Sequence, residues 1–314
     1  MTVKLRHLRY FVSVVDSRSF SRAAATIHVA QPALSRQILE LEESIGAALL
    51  HRTPRGVRVT VAGEVLYREA NAILRQMDRL PEFVRSAGGN IEGTVVVGMS
   101  STLASFLAGP FMEACRAQYP KIKLRFVTGD SISLKARIDV GQLDLAVVYE
   151  DMPPPGYVRR SLFRQRLYLI RREPLADGRE TVALEELAEV PLILPALPNV
   201  VRILLDRIFA EEGLVPNMVG EADMLSSMLS AVQSGMGDTV IPKGDFSDVL
   251  GHGSLLAHAI EPAIFLTASI VHSADSPLSQ PSRLVHDLLA SFVFHLVSKA
   301  PPPGAEWIGG DPSP

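Results

Sequence analysis

The segment Gln31–Ile45 constrains this chain more than any other. Leu34, Ile38, Leu41 and Ile45 recur at about 100° per residue and make one apolar stripe, the mark of a helix with a single buried side. Pro32 suits the first helical position, where its missing N–H would have had no partner, and Gly46 ends the helix. The opposite face presents Pro32, Ser35, Arg36 and Leu39, with Gln31 at the tip. Upstream, Leu5, Leu8, Phe11, Val12 and Val15 fall at helical spacing. Ser19 can cap a short second helix, in which Ala23 and Ala24 admit a close neighbour, and His28-Val29-Ala30 forms the turn into the third.

The polar face of the third helix is chemically selective. Gln and Arg pair bidentately with base edges, and Ser can donate or accept at a base or a phosphate. A short helix pair ahead of such a face fits a recognition helix in the major groove of double-stranded DNA, with Arg36 suited to a base, a phosphate or both. Leu49–Arg52 and Val57–Val59 then read as two strands joined by Thr53-Pro54-Arg55-Gly56. That hairpin is a wing with Arg52 and Arg55 near its tip, placed for phosphate or minor-groove contact. Residues 1–60 hold nine Lys/Arg against four Asp/Glu, whereas the whole chain carries a net charge of −3. A basic head on an acidic body implies that only the head meets a polyanion. A helical bundle with a solvated basic edge would explain the charge, but not the turn, the polar face and the wing together.

Thr60 can cap a long helix starting near Val61. Leu66, Ala70, Ile73, Met77, Leu80 and Val84 repeat along it at alternating spacings of four and three, a coiled-coil seam that needs a partner strand or its own body to pack on. An interior proline costs about 3 kcal/mol in a helix, so Pro81 is expected to kink or interrupt this one. Ser86–Asn90 reads as a linker. Beyond it come the strand Thr94–Gly98, a polar turn Met99–Thr102, a helix to about Gln118 and the strand Lys123–Thr128. A helix from about Ser131 to Val140 and the strand Leu143–Tyr149 follow. This is the grammar of a doubly wound parallel sheet. A second α/β lobe is read from Leu167–Arg171, Pro191–Leu194, helices around Val201–Glu212 and Ser226–Ser234, and the strand Thr239–Ile241. Phe265–His272 and the helix Arg283–Val297 return to the first lobe. The fold class is therefore α/β: a winged helix-turn-helix (1–60), a linker helix (61–87) and a two-lobed domain (91–297). The proline-rich tail (298–314) is expected to be disordered.

A chain of 314 residues suits two or three domains. No apolar run reaches the length of a membrane span, and the N-terminus is amphipathic rather than a signal core, so a cytoplasmic protein without membrane contact is expected. The single cysteine, Cys115, excludes an intramolecular disulfide and a multi-cysteine metal site. His252 and His258 lack a partner at ligand spacing, and GxGxxG, GxxxxGK[ST] and GxSxG are all missing. Neither a catalytic role nor a cofactor is expected. In open α/β sheets, ligands sit beyond the carboxyl ends of strands, where helix N-termini offer free N–H groups. The segments there are Ser100-Ser101-Thr102, Thr128-Gly129-Asp130, Tyr149, and Pro198–Arg202 with Asn199, Val200 and Arg202. The serines and Thr128 serve equally well as helix caps. Asp130 argues against a strongly anionic ligand, and Arg202 argues for one. Hydroxyls, backbone donors and apolar walls together suit a small organic acid, a carboxylic acid above all. A solute receptor could share the body's fold but would not explain the head, and an enzyme fused to such a head would need a catalytic constellation in the cleft.

The run Phe20-Ser21-Arg22-Ala23-Ala24, followed by AQPALSRQILELEESIGAALLHRTPRGVRVTVAG, resembles the head of the LysR-type transcriptional regulators over about the first 65 residues. AQPALSRQI, with LDLAVVYE downstream, is most similar to the nitrogen assimilation control subgroup. The resemblance implies a sequence-specific transcriptional regulator and adds Ser21 and Arg22 to the DNA-contact set. It also implies an antiparallel linker-helix homodimer that can pair into a homotetramer, and an effector domain similar to periplasmic binding proteins with its ligand between the lobes. RNA polymerase would be a partner if the protein activates. The alternative is a LysR-type regulator with no small-molecule effector, controlled by its abundance.

Overall fold

The computed structural model describes residues 3–53, 56–86, 91–151, 155–175, 178–243 and 255–310. They divide into two compact units, a head made mainly of residues 1–90 and a body formed by most of the rest.

The head opens with α1 (Leu5–Ser17), α2 (Phe20–Thr26) and α3 (Gln31–Ile45). Their apolar faces meet in one core of Phe11, Val14, Phe20, Ala23, Ala24, Leu34, Ile38 and Leu41, closed by Leu49 and Leu50. Ser19 caps α2 by accepting from the Arg22 amide, and Gly46 ends α3 in the left-handed conformation. Ile45, expected in the core stripe, is exposed, because the stripe drifts out of the core in the last turn. The wing is the antiparallel pair β1 (Leu50–Thr53) and β2 (Gly56–Val59), in which Arg52 stands opposite Val57. Glu42 fixes the wing to α3: its Oε1 accepts from the amides of Leu49 (2.8 Å) and Leu50 (3.2 Å).

Thr60 caps α4 (Val61–Ser86) by accepting from the Gly63 amide at 2.9 Å. Gly63 has a steric task there. A Cβ would lie 2.1 Å from the Leu49 carbonyl oxygen, so only glycine lets the long helix approach the wing this closely. Tyr67 of α4 donates to Asp16 of α1 at 2.5 Å, and burial with that bond pushes its pKa up to about 12. The helix runs through Pro81 without the interruption expected there, since one missing backbone bond does not end a 26-residue helix. The seam divides. Leu66 packs into the head and Ala70 is buried, whereas Ile73, Met77 and Leu80 remain 42%, 36% and 51% exposed.

The body has two lobes. Lobe I contains β3 (Gly93–Ser100), α5 (Ser101–Gln118), β4 (Ile122–Gly129), α6 (Ser131–Asp139) and β5 (Leu145–Glu150). The strands β4, β3 and β5 are parallel, as expected. The polar turn expected at Met99–Thr102 is absorbed instead, its first half into β3 and its second into α5. Then β6 (Tyr157–Arg171) runs from lobe I into lobe II, 15 residues where the sequence suggests five, because Arg159, Arg160, Arg164 and Arg166 interrupt its apolar signal. Lobe II adds β7 (Thr181–Ala183), α7 (Leu184–Glu189), β8 (Leu192–Leu194), α8 (Val200–Glu211), β9 (Met218–Glu221), α9 (Leu225–Gln233), β10 (Thr239–Pro242) and β11 (Leu256–Glu261). Its sheet is mixed rather than parallel, because β10 and β11 both run antiparallel to the C-terminal half of β6. The chain returns along β12 (Phe265–Ser273), paired with β5 and β6, to α10 (Gln280–Lys299). The tail is ordered as far as it is described. Ala305–Trp307 forms β13, paired with Gln165, Arg164 and Phe163 of β6, and Trp307 meets Phe294 edge to face at 5.1 Å.

Candidate nucleic-acid interface and interlobe cleft

The head turns a coherent set of polar side chains to solvent. Gln31 and Pro32 are exposed at the start of α3, and Arg36 is exposed one turn later, its Nε donating to Glu40 at 3.2 Å. Leu39 lies exposed on the same helix, suited to a thymine methyl group. Ser35 shares the face, yet its Oγ is enclosed and has no partner among the described residues. Ser21 and Arg22 are exposed on α2, and the Arg22 Nη2 donates to the Ser17 carbonyl at 2.7 Å, which holds the guanidinium against its own helix pair. Arg52 stands in β1, and Arg55 lies outside the described residues.

The second site is a cleft of about 550 Å³ between the two lobes of the body. On the lobe I side are Ser101, Ser105, Thr128 and Asp130. On the lobe II side are Leu197, Asn199, Asp223 and Met224. A narrower inner recess adds Ser100, Thr102, Tyr149, Val200 and Val201. Two helices begin here, α5 at Ser101 and α8 at Val200, so backbone N–H groups and the positive ends of two helix dipoles reach the cleft from opposite walls. Asn199 caps α8, its Oδ1 accepting from the Val201 amide at 2.9 Å, and Asp130 caps α6 through the amides of Ile132 and Ser133. Ser100 differs. It stands at the N-cap of α5 and is only 9% exposed, and its Oγ has no partner among the described residues. Tyr149, at the floor, donates to Gln165 and is held far above the ordinary phenol range by burial.

Arg202 is not brought to the cleft. Its guanidinium is tied to Asp206 at 2.9 Å, to Glu221 at 2.7 Å and to the Pro195 carbonyl at 3.2 Å, and the bond to Glu221 is the main reason its pKa is raised. The i,i+4 spacing of Arg202 and Asp206 carried that signal in the sequence. Sequence reasoning also passed over Asp223, whose carboxylate accepts from the Ala196 amide at 3.1 Å, and the exposed rim residues Leu197 and Met224.

Two family models account for most of the chain. The bacterial regulatory helix-turn-helix protein, lysR family, matches residues 5–64, and the LysR substrate binding domain matches residues 88–293. The chain belongs to the LysR family. It is similar to the nitrogen assimilation regulatory protein Nac of Klebsiella aerogenes, at 34% identity over 293 residues that cover 93% of this chain and 95% of that one. The Escherichia coli Nac protein is 32% identical over the same shares. Among solved structures, a full-length OxyR variant from Pseudomonas aeruginosa aligns with a TM-score of 0.69 at 22% identity over 98% of both chains. Full-length CbnR in complex with its target DNA aligns with a TM-score of 0.65 at 19% identity, over 93% of this chain and all of that one. These two establish the shared fold. As a LysR-type protein the chain is a DNA-binding transcriptional regulator and not an enzyme. Among the described residues, no helix is long and apolar enough to cross a membrane.

Proposed function

We propose that this regulator reads a two-fold-related operator as a homodimer, and that its interlobe cleft takes a small organic acid bearing one carboxylate. Gln31, Arg36 and Leu39 of α3 contact base edges and methyl groups, Ser21, Arg22 and the wing arginines Arg52 and Arg55 hold the backbone, and Pro32 and Ser35 shape the helix start. The exposed Ile73, Met77 and Leu80 of α4 supply the seam between two copies.

The effector reading rests on one observation, the unpaired and nearly buried Ser100 hydroxyl at the N-terminus of α5 in the cleft recess. A buried donor without a partner is costly, and a carboxylate at the helix start would satisfy it together with the free amides of the first turn. Asp130 and Asp223 limit the ligand to a single acid group, with a neutral or cationic remainder against the apolar rim of Leu197 and Met224. A thermal-shift screen of small monocarboxylic acids against the wild type and the Ser100→Ala/Thr128→Ala double variant tests this. An acid that stabilises the wild type and not the variant is the expected result. If no acid stabilises the wild type, or one stabilises both alike, the reading fails. A second reading, regulation by abundance without an effector, then stands. It draws on the lack of any Lys or Arg among the described residues lining the cleft.

A further inference from the structure

The segment that follows α10 lies beyond the residues matched by the LysR substrate-domain model, and its path along the body is specific. After Pro302 accepts from the Ala305 amide, the chain runs antiparallel to β6, with Ala305, Glu306 and Trp307 opposite Gln165, Arg164 and Phe163. The Arg166 amide donates to the Gly304 carbonyl at 2.9 Å, and the amides of Ile308 and Gly309 both donate to the Leu162 carbonyl. Glu306 pairs with Arg164 at 2.6 Å, and Trp307 anchors the segment on α10 through Phe294. Gly304 sits at φ +74°, where a Cβ would lie 2.6 Å from the Tyr168 hydroxyl, so this path requires glycine.

The stretch of β6 held in this way is the one that crosses between the lobes. Residues Tyr157–Arg166 pair with β12 of lobe I, and Leu167–Arg171 pair with β10 and β11 of lobe II. Two side chains at the crossing join the lobes directly. Gln165, fully buried, accepts from Tyr149 at the cleft floor and donates through Nε2 to the Lys243 carbonyl beyond β10, at 3.0 Å. Arg166 donates through Nη2 to the Ile260 carbonyl and to Glu261 at the end of β11, both at 2.6 Å. With β12 on one side and β13 on the other, the crossing is the middle strand of three. Hinges absorb their motion in a few backbone dihedrals, and a strand hydrogen-bonded on both edges resists such changes.

We propose that residues 301–310 are a clamp on the interlobe hinge, fixing the β6 crossing and through Gln165 and Arg166 the stiffness with which the lobes are coupled. The clamp acts whether or not the cleft takes a ligand. Hydrogen–deuterium exchange of the full-length protein, a truncation lacking residues 301–314 and the full-length Gly304→Val variant tests it. Amides of β10 and β11, which β13 does not pair with, should exchange about tenfold faster in both variants, while those of α3 in the head and β3 in lobe I keep their wild-type rates. Faster exchange confined to Ser161–Tyr168 would overturn the proposal and leave the segment a passive cover for a sheet edge. Loss of protection throughout lobe I in both variants would overturn it as well, because the segment would then belong to the core. Should the truncation alone fail to fold, Gly304→Val, which keeps Trp307 and Phe294, decides between these outcomes.

Discussion

The two candidate recognition surfaces of this regulator are built on opposite plans. The side of the head proposed to face DNA comes from one helix and its short neighbour, and its main side chains stand in solvent with few internal partners. The cleft is assembled from segments around residues 100, 128, 149, 199 and 223, and Asp130, Tyr149, Asn199 and Asp223 among its polar groups already serve as caps or belong to internal bonds. A surface that must meet a rigid polyanion gains from exposed, local, positively charged groups. A pocket for a small molecule gains from donors held in place by folding, so its residues carry structural duties along with recognition.

The largest expected effect tests whether the head works alone. Ile73→Glu together with Met77→Glu should leave a monomer in sedimentation at concentrations where the wild type is dimeric. Operator affinity should then fall by about a hundredfold or more, because the second head no longer binds at high effective concentration. An unchanged oligomer would mean that the exposed seam of α4 is not the contact between copies.

A smaller effect sharpens the local plan of the head. Gln31→Ala should lose about 1–3 kcal/mol of discrimination between the operator and a site altered at one base pair. Ser35→Ala should lose less, because the Ser35 hydroxyl is enclosed whereas Gln31 stands free. Competition binding against a panel of single-base variants measures both. Equal losses would show that Ser35 turns outward on DNA, and no loss at Gln31 would remove α3 from the reading role.

The smallest effect falls on the body. His258 is held below its ordinary pKa by burial and then by the Arg171 guanidinium, and His272 is lowered chiefly by burial. Both therefore take up a proton less readily folded than unfolded. The stability they contribute is present above the ordinary histidine value of about 6.5 and is lost as pH falls through it toward their lower folded values. Thermal unfolding of the wild type should weaken over that window, and His258→Gln should flatten the decline. A decline that His258→Gln leaves untouched would assign the loss to His272 or to other groups.

The head was legible because its information is periodic and contiguous. The stripe through Leu34, Ile38 and Leu41, the Ser19 and Thr60 caps and the Gly46 stop all act within a few residues of one another. In the body the parallel strands of lobe I could be read from the apolar runs of β3 and β5 and the alternation of β4, but the long crossing strand could not, since Arg159, Arg160, Arg164 and Arg166 look like a loop until their partners are known. The same holds for Arg202, whose position suggested an anion site and whose partners Asp206 and Glu221 make it a strut. The ordered tail escaped for a related reason. Proline-rich composition speaks for disorder, while three backbone bonds to β6 and one tryptophan on α10 decide otherwise.

The continuity of α4 also makes it a ruler. At about 1.5 Å per residue its 26 residues span close to 39 Å, near the 34–36 Å repeat of one DNA turn. In the antiparallel pair that the resemblance implies, the length of this helix would set how far apart two heads stand, and with it the half-site spacing of the operator. Pro81 leaves the Met77 carbonyl without its helical donor, which puts the one built-in weak point of the ruler near the end remote from the head.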